Sequence, residues 1–175
     1  MTPGALEHGT VRLRQIQAAD LPMVYYLAHL NPWSFRWAFR DVVPQFERFE
    51  QTMWYRSVCH FGVEECATGS TVGIAVGWSD SGLRDSLKVD VLYPDRSSYR
   101  KFWWSTSDVM AQHLSVALDV HKILFEVPSS LYREVMDTLE PHVQVEGSIG
   151  EYFWLGGTFV DMTILRYEPA RRGVG

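Results

Sequence analysis

Two carboxylates, Asp90 and Glu126, lie in segments whose period-two patterning reads as strand. Asp90 belongs to Ser86–Tyr93 (SLKVDVLY) and Glu126 to His121–Val127 (HKILFEV). Asp90 stands two residues before Leu92, so the two share a strand face. A carboxylate desolvated at a strand end has a raised pKa and can take a proton near neutral pH. The bland alternative for Asp90 is a partly solvated residue paired with Lys88 or Arg84. Directly after the first strand comes a basic, serine-containing run, Arg96-Ser97-Ser98-Tyr99-Arg100-Lys101. Arg100 and Lys101 stand at the start of a long helical pattern, where the helix dipole adds to their charge and suits an anion. Glu64 and Glu65 are adjacent, so only one can face a cavity, and solvation is the simpler reading of both.

Other chemistries find no pattern. His29, His60, His113, His121 and His142 are scattered, with neither H-x-x-x-H nor Cys-x-x-Cys, so no metal is expected. No G-x-S-x-G elbow is present. Cys59 and Cys66 do not make a disulfide scaffold and read as buried structural residues. Gly73 and Gly77 read as close-packing or bulge glycines rather than a phosphate loop. The net charge of −5 argues against a general phosphate-neutralising face, so no nucleic-acid partner is expected. No apolar run approaches the ~20 residues that span a bilayer. Met1–Thr10 lacks a basic region followed by an apolar stretch, and a cytoplasmic setting is the expectation.

The elements that must position these residues follow from periodicity. The first nine residues read as a loose lead-in. Thr10–Ile16 alternates as a half-buried strand, and AADLPMVYYLAHL as a helix that Asn31-Pro32 stops. Pro44 opens a second helix, PQFERFEQTMWYRS. Cys59–Cys66 and Val72–Trp78 are strands joined by the turn Ala67–Ser70, and Ser86–Tyr93 is a third. A long helix over Tyr99–Val120 separates that strand from His121–Val127, so the two should pair in parallel. A shorter helix, LYREVMDTL, precedes a hairpin of Val143–Trp154 and Thr158–Tyr167 turning at Gly156-Gly157. The expected fold is one α/β domain over the 175 residues, with a core of about 10–168. Its mixed sheet has a central parallel β-α-β unit and a C-terminal hairpin. Open sheets bind ligands where strand pairing changes, outside the carboxyl ends of the parallel strands. That points to Leu92–Ser98 and Val127–Ser130. Seven tryptophans and 14% aromatic residues suggest an aromatic-lined cavity besides the core.

This order, and three stretches, resemble the GNAT superfamily of N-acetyltransferases, in the branch acting on ribosomal-protein N-termini and small amines. VRLRQIQAADLPMVYYLAHLNP looks like that branch's opening. EGSIGEYFWLGGTFVDMTILRYE looks like its closing hairpin, with Glu146-Gly147, Glu151-Tyr152, Gly156-Gly157 and Val160-Asp161. VDVLYPD before a long helix occupies the place of the family's cofactor-binding strand and loop. The resemblance spans roughly Val11 to Glu168. It implies splayed central strands and an acetyl-CoA or other acyl-CoA donor. The acceptor would be an amine of a small molecule or peptide.

The resemblance also assigns residues. The family carries Arg/Gln-x-x-Gly-x-Gly/Ala after that strand. Here the run is Asp95-Arg96-Ser97-Ser98-Tyr99-Arg100-Lys101-Phe102, without glycine. Ser97 and Ser98 would allow close approach and bond phosphate, with Arg96, Arg100 and Lys101 supplying charge. Equally, the bulky run would block the site. The donor would then be a carrier protein's phosphopantetheine thioester, or the chain a non-catalytic binding module. Backbone N–H groups of Leu92 and Tyr93 are placed to polarise a thioester carbonyl. Asp90, or Glu126 beside it, would be the base. Leu131-Tyr132 reproduces the dipeptide of the family's tyrosine that protonates the thiolate. Counting from Glu146-Gly147 puts Thr138 there instead. Trp33, Phe35 and Trp37 fall where the family shapes the acceptor wall, or are simply core. Of Trp103 and Trp104, one should be core and the other could lie against a pantetheine arm.

Overall fold

The alternation of apolar residues along the strands settles into one sheet with helices on both faces. The computed structural model describes residues 6–31, 33–34, 39, 42–55, 57–79, 86–118, 120, 122–136 and 143–167. The strands are β1 (Leu6–His8), β2 (Val11–Gln15), β3 (Ser57–Glu65), β4 (Thr71–Trp78), β5 (Ser86–Leu92), β6 (Lys122–Pro128), β7 (Val143–Leu155) and β8 (Thr158–Tyr167). Their spatial order is β1-β2-β3-β4-β5-β6-β8-β7. Every neighbouring pair is antiparallel except β5–β6. That pair is parallel, as the long intervening helix requires.

The helices are α1 (Leu21–Leu30), α2 (Phe46–Thr52), α3 (Arg96–Ala117) and α4 (Tyr132–Met136). On β4, Ile74, Val76 and Trp78 pack with Val24 and Leu27 of α1 and Phe49 of α2. Ala75, on the alternate face, joins Leu87, Val89 and Val91 of β5 under Phe102, Trp103 and Met110 of α3. Each fully buried large side chain contributes roughly 1.5–3 kcal/mol. Trp103 meets Phe125 of β6 edge-on at 5.4 Å. The helix that joins the parallel strands is thereby anchored to the second of them.

Several boundaries depart from the sequence expectation. The supposed lead-in contains β1, which pairs with β2 through a turn at Gly9, whose φ is 59°. Glu7 faces Arg12 across that hairpin and forms an ion pair with it. α2 is shorter than expected because the chain turns after Met53 and Ser57 already belongs to β3. α3 begins three residues early, at Arg96, because Asp95 caps it. Cys66 lies just past β3 and is exposed rather than buried; Cys59 is half-buried, and both are free. The residues expected to complete the last helix, 137–139, lie outside the described residues, and with them Thr138. Among the described residues, no helix is long and apolar enough to cross a membrane.

The C-terminal hairpin carries a bulge between Ile149 and Phe153. Glu151 adopts a φ of 50° there, and its N–H donates to Asp161 Oδ1 at 2.9 Å. Bulges re-aim the side chains beyond them. Phe153 lies against Trp33 with ring centroids 5.6 Å apart.

Candidate functional site

The ladder between β5 and β6 stops at Val89↔Phe125, although β5 runs on to Leu92 and β6 to Pro128. The strands therefore part at their carboxyl ends. Trp33, Asp90, Leu92, Tyr99, Trp103 and Glu126 line the resulting cleft, closed off by Leu131 and Val135 below α3. Its free volume is about 10 Å³, room for roughly one water molecule. An acyl group needs these walls to part.

Asp90 is 3% exposed. Its Oδ2 accepts the Ser34 hydroxyl at 2.6 Å and the Trp78 indole N–H at 2.8 Å. Lys88 Nζ lies 3.3 Å from the same oxygen and 2.9 Å from Glu126 Oε2. Oδ1 is buried and has no hydrogen-bond partner among the described residues. Burial pushes the Asp90 carboxyl above the ordinary range; the Lys88 ammonium pulls it back, and the Glu126 charge pushes it further up. The donors on Oδ2 hold that oxygen as the anionic end, which leaves Oδ1 as the atom free to take a proton. Of the two pairings envisaged for Asp90, Lys88 is its neighbour and Arg84 lies outside the described residues; the carboxyl is buried rather than partly solvated.

The other expected residues separate into groups. Leu92 and Tyr93 are buried at the end of β5. The Tyr93 hydroxyl bonds Thr106 of α3 at 2.6 Å. Tyr99 lines the cleft, with its hydroxyl donating to Asn31 Oδ1 at 3.0 Å, and Phe102 belongs to the core under α3. Trp33 lines the cleft, whereas Phe35 and Trp37 lie outside the described residues. Trp103 is both core and cleft wall; Trp104 is half-buried beside it. Tyr132 stands in the first turn of α4 and is half-buried, and the cleft is lined by its neighbours Leu131 and Val135 instead.

Arg96, Ser97 and Ser98 do not form a loop but the first turn of α3. Asp95 Oδ1 accepts the Ser98 N–H at 2.9 Å and the Ser97 hydroxyl at 2.6 Å; Oδ2 accepts the Ser98 hydroxyl at 3.0 Å. The serine groups expected to meet phosphate thus serve the cap. Arg96 lies 3.5 Å from Glu134, and Lys101 Nζ bonds Glu65 Oε1 at 2.7 Å. Glu65 is consequently no free surface carboxylate. Arg100 remains exposed on α3.

Sequence reasoning missed Ser34 and Trp78. Ser34 sat inside an aromatic segment that drew attention to its ring residues, and Trp78 ended a strand with no neighbour to mark it. Only Lys88, two residues from Asp90, carried a signal of its role.

No family model matches the chain, and no curated protein matches it by sequence. Solved structures do match by fold. The spermidine/spermine N-acetyltransferase SpeG of Vibrio cholerae, in complex with manganese ions, superposes with a TM-score of 0.71 at 17% identity, over 91% of this chain and 92% of that one. The same enzyme in complex with CoA and spermine gives 0.64 at 16% identity, over 92% and 96%. At such identities the likeness is one of architecture: the chain is folded as those N-acetyltransferases are, on the GNAT plan that its sequence resembles.

Proposed function

We propose that this protein is an N-acyltransferase that passes an acetyl or other acyl group from a CoA thioester to the amine of a small molecule or peptide. The observation that carries this reading is Asp90 Oδ1, buried at the fork of the parallel strands and without a hydrogen-bond partner among the described residues. The ammonium first gives one proton to Asp90 Oδ1, and the freed amine nitrogen attacks the thioester carbonyl carbon. The N–C bond forms, the C–S bond breaks, and the second nitrogen proton passes through water to the departing thiolate. Attack is direct, because no activated nucleophile lines the cleft among the described residues. Lys88 stands between the two carboxylates of the fork. Leu92 and Tyr93 present the end of β5 to the thioester, and Trp33 forms the acceptor wall.

The walls of the fork favour a particular acceptor. Trp33, Tyr99, Trp103 and Phe125 frame it. That suits an amine with an apolar, aromatic body, in contrast to the spermine bound by the Vibrio enzyme. The test is a panel of aromatic monoamines, polyamines and peptide N-termini incubated with acetyl-CoA, with released thiol as the readout. Amine-dependent thiol release, greatest for aromatic monoamines, is expected. No release above the blank with any amine would remove the reading.

A further inference from the structure

The start of α3 is filled by the chain itself. A helix start attracts anions through its free N–H groups and its dipole. In this protein the Asp95 carboxylate accepts from the Ser98 N–H, the Ser97 hydroxyl and the Ser98 hydroxyl, and the Tyr99 N–H goes to the Asp95 carbonyl. The Ser98 N–H and both serine hydroxyls, donors that a diphosphate would use, are thereby occupied. These same bonds hold the exposed Asp95 carboxyl below its ordinary range, so it is an anion at neutral pH.

Two of the three nearby cations are similarly engaged. Lys101 is held by Glu65 at 2.7 Å, and Arg96 stands 3.5 Å from Glu134. Counting Asp95, three carboxylates balance Arg96, Arg100 and Lys101 on the first two turns of α3. Among the described residues, a diphosphate arriving there meets no surplus of positive charge and one anion directly at the helix start. Beside it, the cleft offers a different surface. Trp103, Phe125, Leu131 and Val135 are neutral and apolar, which matches the uncharged arm of a pantetheine thioester.

We infer that the donor is recognised through its acyl-pantetheine arm, without a grip on its diphosphate at the start of α3. The inference rests on the acyl-transfer reading and specifies the donor: the nucleotide of CoA is dispensable, and thioesters lacking it serve equally.

The test compares acetyl-CoA with S-acetyl-pantetheine in turnover. In parallel, binding of CoA, pantetheine and adenosine 3′,5′-bisphosphate is followed by tryptophan fluorescence, because Trp33 and Trp103 line the cleft. The expected kcat/KM values agree within about tenfold, and the bisphosphate neither binds nor competes at millimolar concentration. Asp95→Asn keeps a capping side chain but removes its charge. It should tighten CoA several-fold while leaving pantetheine affinity unchanged. Turnover with acetyl-CoA but a hundredfold loss with acetyl-pantetheine, or competition by the bisphosphate, overturns the inference and leaves acyl transfer standing. Equal binding of both donors without transfer to any amine removes acyl transfer and leaves the inference standing. If neither donor binds, both fall.

Discussion

Lys88 of β5 and Glu126 of β6 form a 2.9 Å ion pair across the point where their strands part. In the ladder Lys88 faces Leu124, so its side chain reaches past the last rung, Val89↔Phe125, to the free end of β6. Both side chains are nearly buried. The pair thus spans the mouth of the fork, and Asp90 shares its cation at 3.3 Å. Removing the cation alone takes the ammonium away from two buried carboxylates. Lys88→Met should destabilise the protein by about 3–5 kcal/mol, the usual cost of breaking a buried pair from one side. Lys88→Met combined with Glu126→Gln removes one of those two charges and should recover a large part of that loss. Urea unfolding of the parent, both single variants and the double variant measures the coupling. A double variant whose loss equals the sum of the singles would show that the pair does not hold the fork.

Asp90→Asn tests the proton acceptor. The substitution is nearly isosteric and still offers an oxygen to Ser34 and Trp78, so the fold and donor binding should persist. Turnover at saturating donor should fall on the order of 10²–10⁴-fold. The sign of the pH effect follows from burial. A raised carboxyl pKa means that activity declines as pH drops through that value, at a higher pH than an ordinary Asp would give. The Asn variant should lack this acid limb. A parental rate and profile would leave Asp90 as a structural strand residue.

Gly73 should be irreplaceable for a reason local to the site. A Cβ added there would lie 2.5 Å from the Leu92 carbonyl oxygen and 2.5 Å from Tyr93 Cδ1. The first of these atoms is backbone at the end of β5, so relief requires the strand end itself to shift. Gly73→Ala should cost about 1–3 kcal/mol by overpacking. It should also lower turnover at temperatures where the variant remains folded. Gly147→Ala meets nothing within 4 Å and serves as the control, with a change inside about 0.5 kcal/mol. Equal melting temperatures for the two variants would refute the account.

Asp20 ties β2 to the start of α1. Its two oxygens accept Arg14 Nη1 and Nη2 at 2.7 Å each, and one also accepts the Gln17 N–H at 2.8 Å. The Arg14 bonds hold its carboxyl below the ordinary range, against the opposing effect of burial. A depressed pKa adds stability above the unfolded carboxyl value of about 3.9, and that stability is lost as pH falls through the folded value. Asp20→Asn should therefore cost about 1–3 kcal/mol at pH 7. The gap to the parent should close in acid. Melting temperatures from pH 7 down to pH 2 check this, and a gap independent of pH would refute it.

The strands and their pairing were largely legible because they depend on neighbours in sequence. The alternation of Ser86–Tyr93, the turn at Gly156-Gly157 and the long helix between two apolar strands led directly to a mixed sheet with one parallel pair. β1 escaped because three residues with little apolar content carry no period, and they form a strand only by pairing with β2. The start of α3 was misjudged for a different reason. Asp95 followed by Ser97 and Ser98 is a capping pattern in plain sight, but alignment to a glycine-containing loop drew those residues toward phosphate.

By itself, the sequence determined that Asp90 and Glu126 would stand on adjacent parallel strands near their carboxyl ends. Strand period and crossover length are local properties, and they suffice for that placement. Tertiary structure alone decided what those carboxylates experience. Ser34 and Trp78 converge on one oxygen of Asp90 from 56 and 12 residues away, and Lys88 is shared between two strands. It also decided that the start of α3 would turn its donors on Asp95 and its lysine on Glu65, 36 residues away. Proton affinity and anion affinity depend on desolvation and on charges gathered from distant parts of the chain, and no periodicity in the sequence encodes that gathering.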